Sequence, residues 1–239
     1  MLIDFINTLK DQVKIKAKYG IEFVGDPEKI EVGLTPRSIV YTEGSKNLYL
    51  YKGKNEKNSP LLLVYSLINR PYIFDLRPNR SMIEFLTNNG FDIYLLDWGD
   101  PRPEDAFSDL SELINGTMNR AVNYIAKLHN QKSIDMLGYC MGGTFASIYT
   151  AIYPDKINKL TLLTTPLSKN EGGLLQDIGK KLDVDKALSS KGIISGREMK
   201  MFFNSVKPVG MIKKERDFWK NKGEEKFLDT FLPVEKWSN

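Results

Sequence analysis

The 239-residue sequence predicts an α/β fold, a mostly parallel sheet with helices flanking it. Short apolar runs alternate with amphipathic helical stretches between Asn47 and Pro166, and strand, helix, strand, helix, strand implies parallel strands joined by right-handed crossovers. A glycine-rich turn, Gly138 to Gly143, also joins one of the runs directly to a helix.

The elements follow in order. Residues 1–45 mix a short amphipathic helix with turn signals at Gly25-Asp26-Pro27 and Thr35-Pro36, so they read as an approach segment packing on a core formed later. Asn47 to Lys52 and Leu61 to Tyr65 are apolar, aromatic runs bounded by Gly53, Asn58 and Pro60, a hairpin-like pair or two successive strands. Pro78 to Asn89 is expected as a helix with Met82, Ile83, Phe85 and Leu86 inward, ended by Gly90. Phe91 to Leu96 reads as a buried-type strand. From Ser108 to His129, Leu110, Leu113, Ile114, Met118, Ala121, Val122, Ile125 and Leu128 recur at helical spacing. Ser133 to Leu137 is a strand, Gly142 to Tyr153 a helix stopped by Pro154, and Lys159 to Thr164 a strand stopped by Pro166. The core is therefore expected over 46–166. Residues 167–239 read as a helical, cap-like region with a Met199, Met201, Phe202, Phe203 cluster and no further strand.

Composition narrows the function classes. The longest apolar runs fall far short of the roughly 18 to 20 residues that cross a bilayer, so no transmembrane span is expected. Met1 to Lys10 lacks the features of an export signal, and a single cysteine fits a reducing cytoplasm. The net charge of +4 comes from Lys and Arg interleaved with acids, a solvated surface and not a nucleic-acid patch.

Chemistry concentrates at Gly138-Tyr139-Cys140-Met141-Gly142-Gly143, the G-x-S-x-G nucleophile elbow with sulfur in place of the hydroxyl. A tight strand-to-helix turn strains the nucleophile's backbone, and Gly138, Gly142 and Gly143 let strand and helix approach. Cys140 would then stand at a helix N-terminus, where the dipole favours thiolate and the Met141 N–H can donate to an oxyanion. Two other readings stay open: glycine-rich turns also bind phosphate, and a lone cysteine is often an inert buried residue. The dinucleotide and Walker spacings are both absent, which weakens the first.

Four ordered blocks extend the pattern: Leu63 to Tyr72 (LVYSLINRPY), Asp92 to Gly99 (DIYLLDWG), Leu137 to Phe145 (LGYCMGGTF), and Tyr153-Pro154-Asp155-Lys156 through Thr164-Thr165-Pro166. Together they closely resemble the catalytic subunit of class III polyhydroxyalkanoate synthases, with class IV as a near relative. The resemblance implies an α/β-hydrolase-like fold and an acyltransferase that moves 3-hydroxyacyl groups from coenzyme A thioesters to Cys140 and then to a growing polyester. It also implies work in the cytoplasm at the granule surface, a second non-catalytic synthase subunit, a homo- or hetero-oligomer, and no cofactor or metal. Moving an acyl group from one thioester to another costs little free energy, so sulfur suits the task. In this fold the second oxyanion donor comes from the loop after the first central strand, here Ser66 to Ile68, with the Leu67 N–H as candidate. Packing of Leu67 and Ile68 under the sheet is the alternative.

One departure matters. The fold's triad runs nucleophile, acid, histidine in chain order, yet no histidine follows Cys140. His129 precedes the Ser133 to Leu137 strand while Cys140 follows it, so about 17 Å of strand separates them, too far for a base. His129 reads as a surface or helix-capping residue, and Asp177, Asp183, Asp185, Asp217 and Asp229 lack a strand-end setting. The resemblance implies a catalytic acid and base in segments that would come after Asn239, in a longer synthase of which this is expected to be an N-terminal fragment. Alternatives are a thioesterase or esterase on the same scaffold, and a complete non-catalytic relative that binds granules or partners.

Overall fold

The computed structural model describes residues 31–54, 59–102, 105, 108–168, 194, 199, 208–221 and 224–238. Six strands and five helices follow one another in it: β1 (Ser38–Glu43), β2 (Lys46–Tyr51), β3 (Leu61–Val64), α1 (Met82–Asn88), β4 (Ile93–Asp97), α2 (Asn119–Leu128), β5 (Ile134–Tyr139), α3 (Met141–Ile152), β6 (Ile157–Leu163), α4 (Pro208–Asn221) and α5 (Glu225–Ser238). The chain divides into two compact units, 33–195 and the combination of 1–32 with 196–239.

The strands of the first unit form one sheet in the order β1-β2-β4-β3-β5-β6. β4, β3, β5 and β6 are parallel, whereas β1 and β2 join antiparallel at one side. All four residues of β3, and Ile93 to Leu96 of β4, are buried, as strands covered on both faces must be. These strands, with Ile134, Met136, Met118, Val122, Ile125 and Tyr149, make the core. β3 lies between β4 and β5, so the chain moves to opposite sides of β3 after each, and the crevice outside the strands' C-terminal ends opens there.

Of the two readings of 47–52 and 61–65, two successive strands is the one found: β2 and β3 do not pair with each other, and β2 pairs with β4 and, through a two-residue hairpin at Gly44-Ser45, with β1. Three expectations are corrected. β1 lies inside the stretch read as an approach segment. Gly44 at φ 59° supplies the backbone conformation that such a hairpin needs. Phe85 is 65% exposed, not inward, because Ile83 and Thr87 set the buried face and Phe85 stands about 200° from Ile83 around the helix. Leu110 and Leu128 are exposed as well. The long helix is wound as a π-helix over Glu112–Met118, and Ile114, Met118, Val122 and Ile125 form its buried stripe. α1 starts as read, with the Ser81 hydroxyl accepting from the Glu84 N–H at 2.9 Å.

Among the described residues β1 and β6 are the edge strands, and Leu162 and Leu163 on β6 are exposed. In the other unit α4 and α5 share an aromatic cluster, with Phe218 and Phe231 ring centres 5.1 Å apart and Phe227 stacked on Phe231. This agrees with the helical reading of that region. Residues 1–30, Met201, Phe202, Phe203, Asp177, Asp183 and Asp185 lie outside the described residues.

Candidate active site

Cys140 forms the link between the end of β5 and the start of α3, at φ 53° and ψ −128°. A non-glycine residue rarely adopts a positive φ, and strain of this kind costs about 1 to 3 kcal/mol. The surroundings enforce it. The Cys140 N–H donates to Leu163 O of β6 at 3.0 Å, extending the sheet ladder, and the Gly143 N–H donates back to Cys140 O at 2.9 Å, closing the first turn of α3. The thiol is partly exposed.

The three glycines allow this approach. A Cβ on Gly138 would lie 2.9 Å from Ala146 Cβ and closer still to the Gly143 backbone; one on Gly142 would lie 2.6 Å from Tyr65 O; one on Gly143 would run into the Thr165 side chain. Backbone cannot withdraw as a flexible side chain can. α3 therefore sits against the ends of β3 and β6 only because these positions have no side chain.

Met141 is the first residue of α3, and N–H groups at a helix start have no intrahelical partner. Leu67 lies in the turn after β3. The pairing of Val64 with Gly138 sets the end of β3 beside β5 two residues before Cys140. Within that turn Ser66 Oγ accepts from the Ile68 N–H at 3.2 Å. Leu67 and Ile68 are 43% and 42% exposed, so neither is packed beneath the sheet. The Tyr139 hydroxyl is held above its ordinary pKa by burial and by the neighbouring Cys140, and its ring meets Phe74 edge to face.

A second group of residues escaped the sequence reading. Tyr65, directly after β3, donates its hydroxyl to Asp97 Oδ1 at 2.6 Å, and its carbonyl oxygen accepts from Trp98 Nε1 at 3.0 Å. Asp97 Oδ1 also accepts from the Gly99 N–H, and the Trp98 ring stands edge-on to Phe145 of α3. Burial first, and then Asp97, push the Tyr65 hydroxyl far above the usual tyrosine range, so it remains a donor. A carboxylate one position past the end of one apolar run and a tyrosine closing another are legible in the sequence. Their meeting depends on the Val64 to Leu96 pairing, which only the sheet supplies.

His129 takes no part. It caps the C-terminus of α2, its Nε2 lies 2.8 Å from the Tyr94 hydroxyl and 3.9 Å from Asp92, and Asp92 precedes β4 at the opposite edge of the sheet. Asp217 sits on α4 beside Arg216. No group of three or more His, Cys, Asp or Glu residues suited to a metal occurs among the described residues. No described helix is long and apolar enough to cross a membrane.

Similar proteins extend the geometry. A sequence profile described as alpha/beta hydrolase fold matches residues 59–222, and one described as poly-beta-hydroxybutyrate polymerase (PhaC) N-terminus matches residues 3–86. The chain is 34% identical over 227 residues to a poly(3-hydroxyalkanoate) polymerase subunit PhaC of Thiocystis violacea, covering 93% of this chain and 64% of that one. The protein of the same name from Allochromatium vinosum is 35% identical over 228 residues, with the same coverage of 93% and 64%. This chain thus spans just under two thirds of the length of these relatives. Among solved structures, an N-acyl homoserine lactonase matches with a TM-score of 0.44 at 17% identity, over 71% of this chain and 58% of that one.

Proposed function

Because the chain belongs to the alpha/beta hydrolase fold family and is similar along most of its length to poly(3-hydroxyalkanoate) polymerase subunits, we propose that it is the nucleophile-bearing part of a polyhydroxyalkanoate synthase. The observation that carries this is Cys140 at a positive φ between β5 and α3, in a chain whose first 86 residues also match the polymerase profile. The activity is acyl transfer. Cys140 loses its thiol proton to water, its Sγ thiolate bonds to the carbonyl carbon of a 3-hydroxyacyl-coenzyme A thioester, the carbonyl electron pair moves to the oxygen, and collapse breaks the bond to coenzyme A sulfur, whose thiolate takes a proton back from water. The Met141 and Leu67 N–H groups are the donors proposed for that oxygen, at a helix start and in the turn after β3 respectively. A hydroxyl at the end of a polyester then attacks the Cys140 thioester, forming an ester, breaking the bond from the acyl carbon to Sγ and returning Cys140 as thiolate, while the hydroxyl proton passes to water. Thioester exchange so drawn calls for no cofactor or metal.

The same reading includes a cytoplasmic location at the polyester granule surface, a second synthase subunit and an oligomer. Support for the subunit is the wording of the relatives' own name, polymerase subunit. The acid and base that chain extension requires are assigned to none of the described residues.

The test is to incubate the chain with 3-hydroxybutyryl-coenzyme A and follow intact mass and coenzyme A release. One acyl adduct, absent from Cys140→Ala, is the expected result. Sustained release of free hydroxy acid would mark a thioesterase instead, and no adduct would leave a binding protein.

A further inference from the structure

We propose that Tyr65 is a positioning residue, clamped at its hydroxyl by Asp97 and at its carbonyl by Trp98 so that the turn carrying Leu67 and the start of α3 stay in one fixed relation. This rests on the reading of Cys140 as an acyl carrier. The argument begins with the peptide between Tyr65 and Ser66. Its carbonyl end is touched from two sides: Trp98 Nε1 donates to Tyr65 O at 3.0 Å, and a Cβ on Gly142 would approach Tyr65 O and C to 2.6 and 2.7 Å. This peptide therefore fills the space between the turn after β3 and the first turn of α3. Whatever sets its plane sets both.

The side chain supplies the second point. The Tyr65 hydroxyl reaches across to Asp97 Oδ1 at 2.6 Å, and Asp97 is itself oriented by the Gly99 N–H at 3.1 Å. Tyr65 is 3% and Trp98 6% exposed, so water competes little for these bonds. Trp98 in turn meets Phe145 of α3 edge to face, with ring centres 6.2 Å apart. The ends of β3 and β4 and the first turns of α3 are thus tied through one residue. Two fixed bonds and a ring contact hold a plane that a single bond would leave free to rotate. An oxyanion needs donors aligned within fractions of an ångström, a far tighter requirement than stability imposes.

The experiment separates positioning from stability by comparing two reactions of the same sulfur. Acylation by 3-hydroxybutyryl-coenzyme A passes through an oxyanion; alkylation by iodoacetamide, a displacement at a CH2 group, does not. Both rates are measured on the full 239-residue chain at mildly alkaline pH, by intact mass, with the urea-denatured chain as the reference for intrinsic thiol reactivity. In Tyr65→Phe the acylation rate is expected to fall about tenfold or more while alkylation stays within about twofold. Asp97→Asn keeps an oxygen acceptor and should retain acylation within about threefold, whereas Asp97→Ala should match Tyr65→Phe, and the double variant should lose no more than either. Equal acylation in the wild type and Tyr65→Phe, or acylation and alkylation falling together, would overturn the clamp. A folded wild type that acylates no faster relative to alkylation than the denatured chain would overturn the acyl-carrier reading, and the clamp with it.

Discussion

The two edges of the parallel sheet carry similar side chains and do different things with them. At the N-terminal edge, Asp92 accepts from Lys52 Nζ and the Gly53 N–H, and His129 meets the Tyr94 hydroxyl; at the C-terminal edge, Tyr65 meets Asp97 near Cys140. Each edge has a buried tyrosine and a carboxylate. At the N-terminal edge the bonds end a helix and anchor strand starts, and the positive-φ residues beside them, Asn130 and Gly90, carry no nucleophile. At the C-terminal edge they surround a residue held at φ 53° and a helix that approaches through three glycines. Neither a triad-like set of residue types nor a positive φ alone therefore separates the edges; a thiol held at positive φ at the start of a helix does.

Four variants sharpen or break that contrast, and a fifth stands outside it. The largest effect belongs to the thiol: Cys140→Ala should remove the acyl adduct entirely, and an adduct of unchanged mass and amount would move the reactive group elsewhere. Next is clearance. Gly142→Ala places a Cβ against the Val64 and Tyr65 backbone, so urea unfolding should show a loss of about 2 to 3 kcal/mol. Cys140→Gly should go the other way, gaining roughly 1 kcal/mol as the strain is relieved. No gain would mean that the backbone at Cys140 is not strained.

His129→Gln tests the quiet edge. Loss of its bond to Tyr94 should cost about 1 kcal/mol and leave acylation of Cys140 unchanged; a fall in acylation would bring the two edges into one site. The smallest effect lies away from both. Glu43 is held below the usual carboxylate range chiefly by its hydrogen bonds to Arg120, at 2.5 and 2.7 Å. A lowered carboxylate contributes stability that is present above its unfolded value, near 4.3 for glutamate, and is lost as pH falls through the folded value. Wild type should thus exceed Glu43→Gln in melting temperature near neutral pH, and the gap should close in acid. The pair is partly exposed, so the gap should be only about a degree or two.

Much of this was legible beforehand. Strand and helix alternation from Leu61 to Leu163 follows from local apolar pattern, and the elbow follows from glycine spacing around Cys140, since both express constraints within a few residues of chain. The remoteness of His129 was readable too, because a strand of known rise stood between it and Cys140. β1 was missed although Gly44-Ser45 is a hairpin signal, since half-exposed strands such as Ser38–Glu43 show little apolar contrast.

What sequence pattern could not decide is which distant residues meet. Tyr65 and Asp97 are 32 positions apart, and only the parallel pairing of β3 with β4 sets them side by side. Likewise, Phe85 is apolar at a plausible helical position, yet the face chosen by Ile83 and Thr87 leaves it in solvent. Leu110, also at helical spacing, is exposed as well. Periodicity and glycine spacing are local and so are written in the order of residues. Register, helix rotation and the clamp on Tyr65 arise from many weak contacts between segments far apart in the chain, and these are settled together only when the sheet closes.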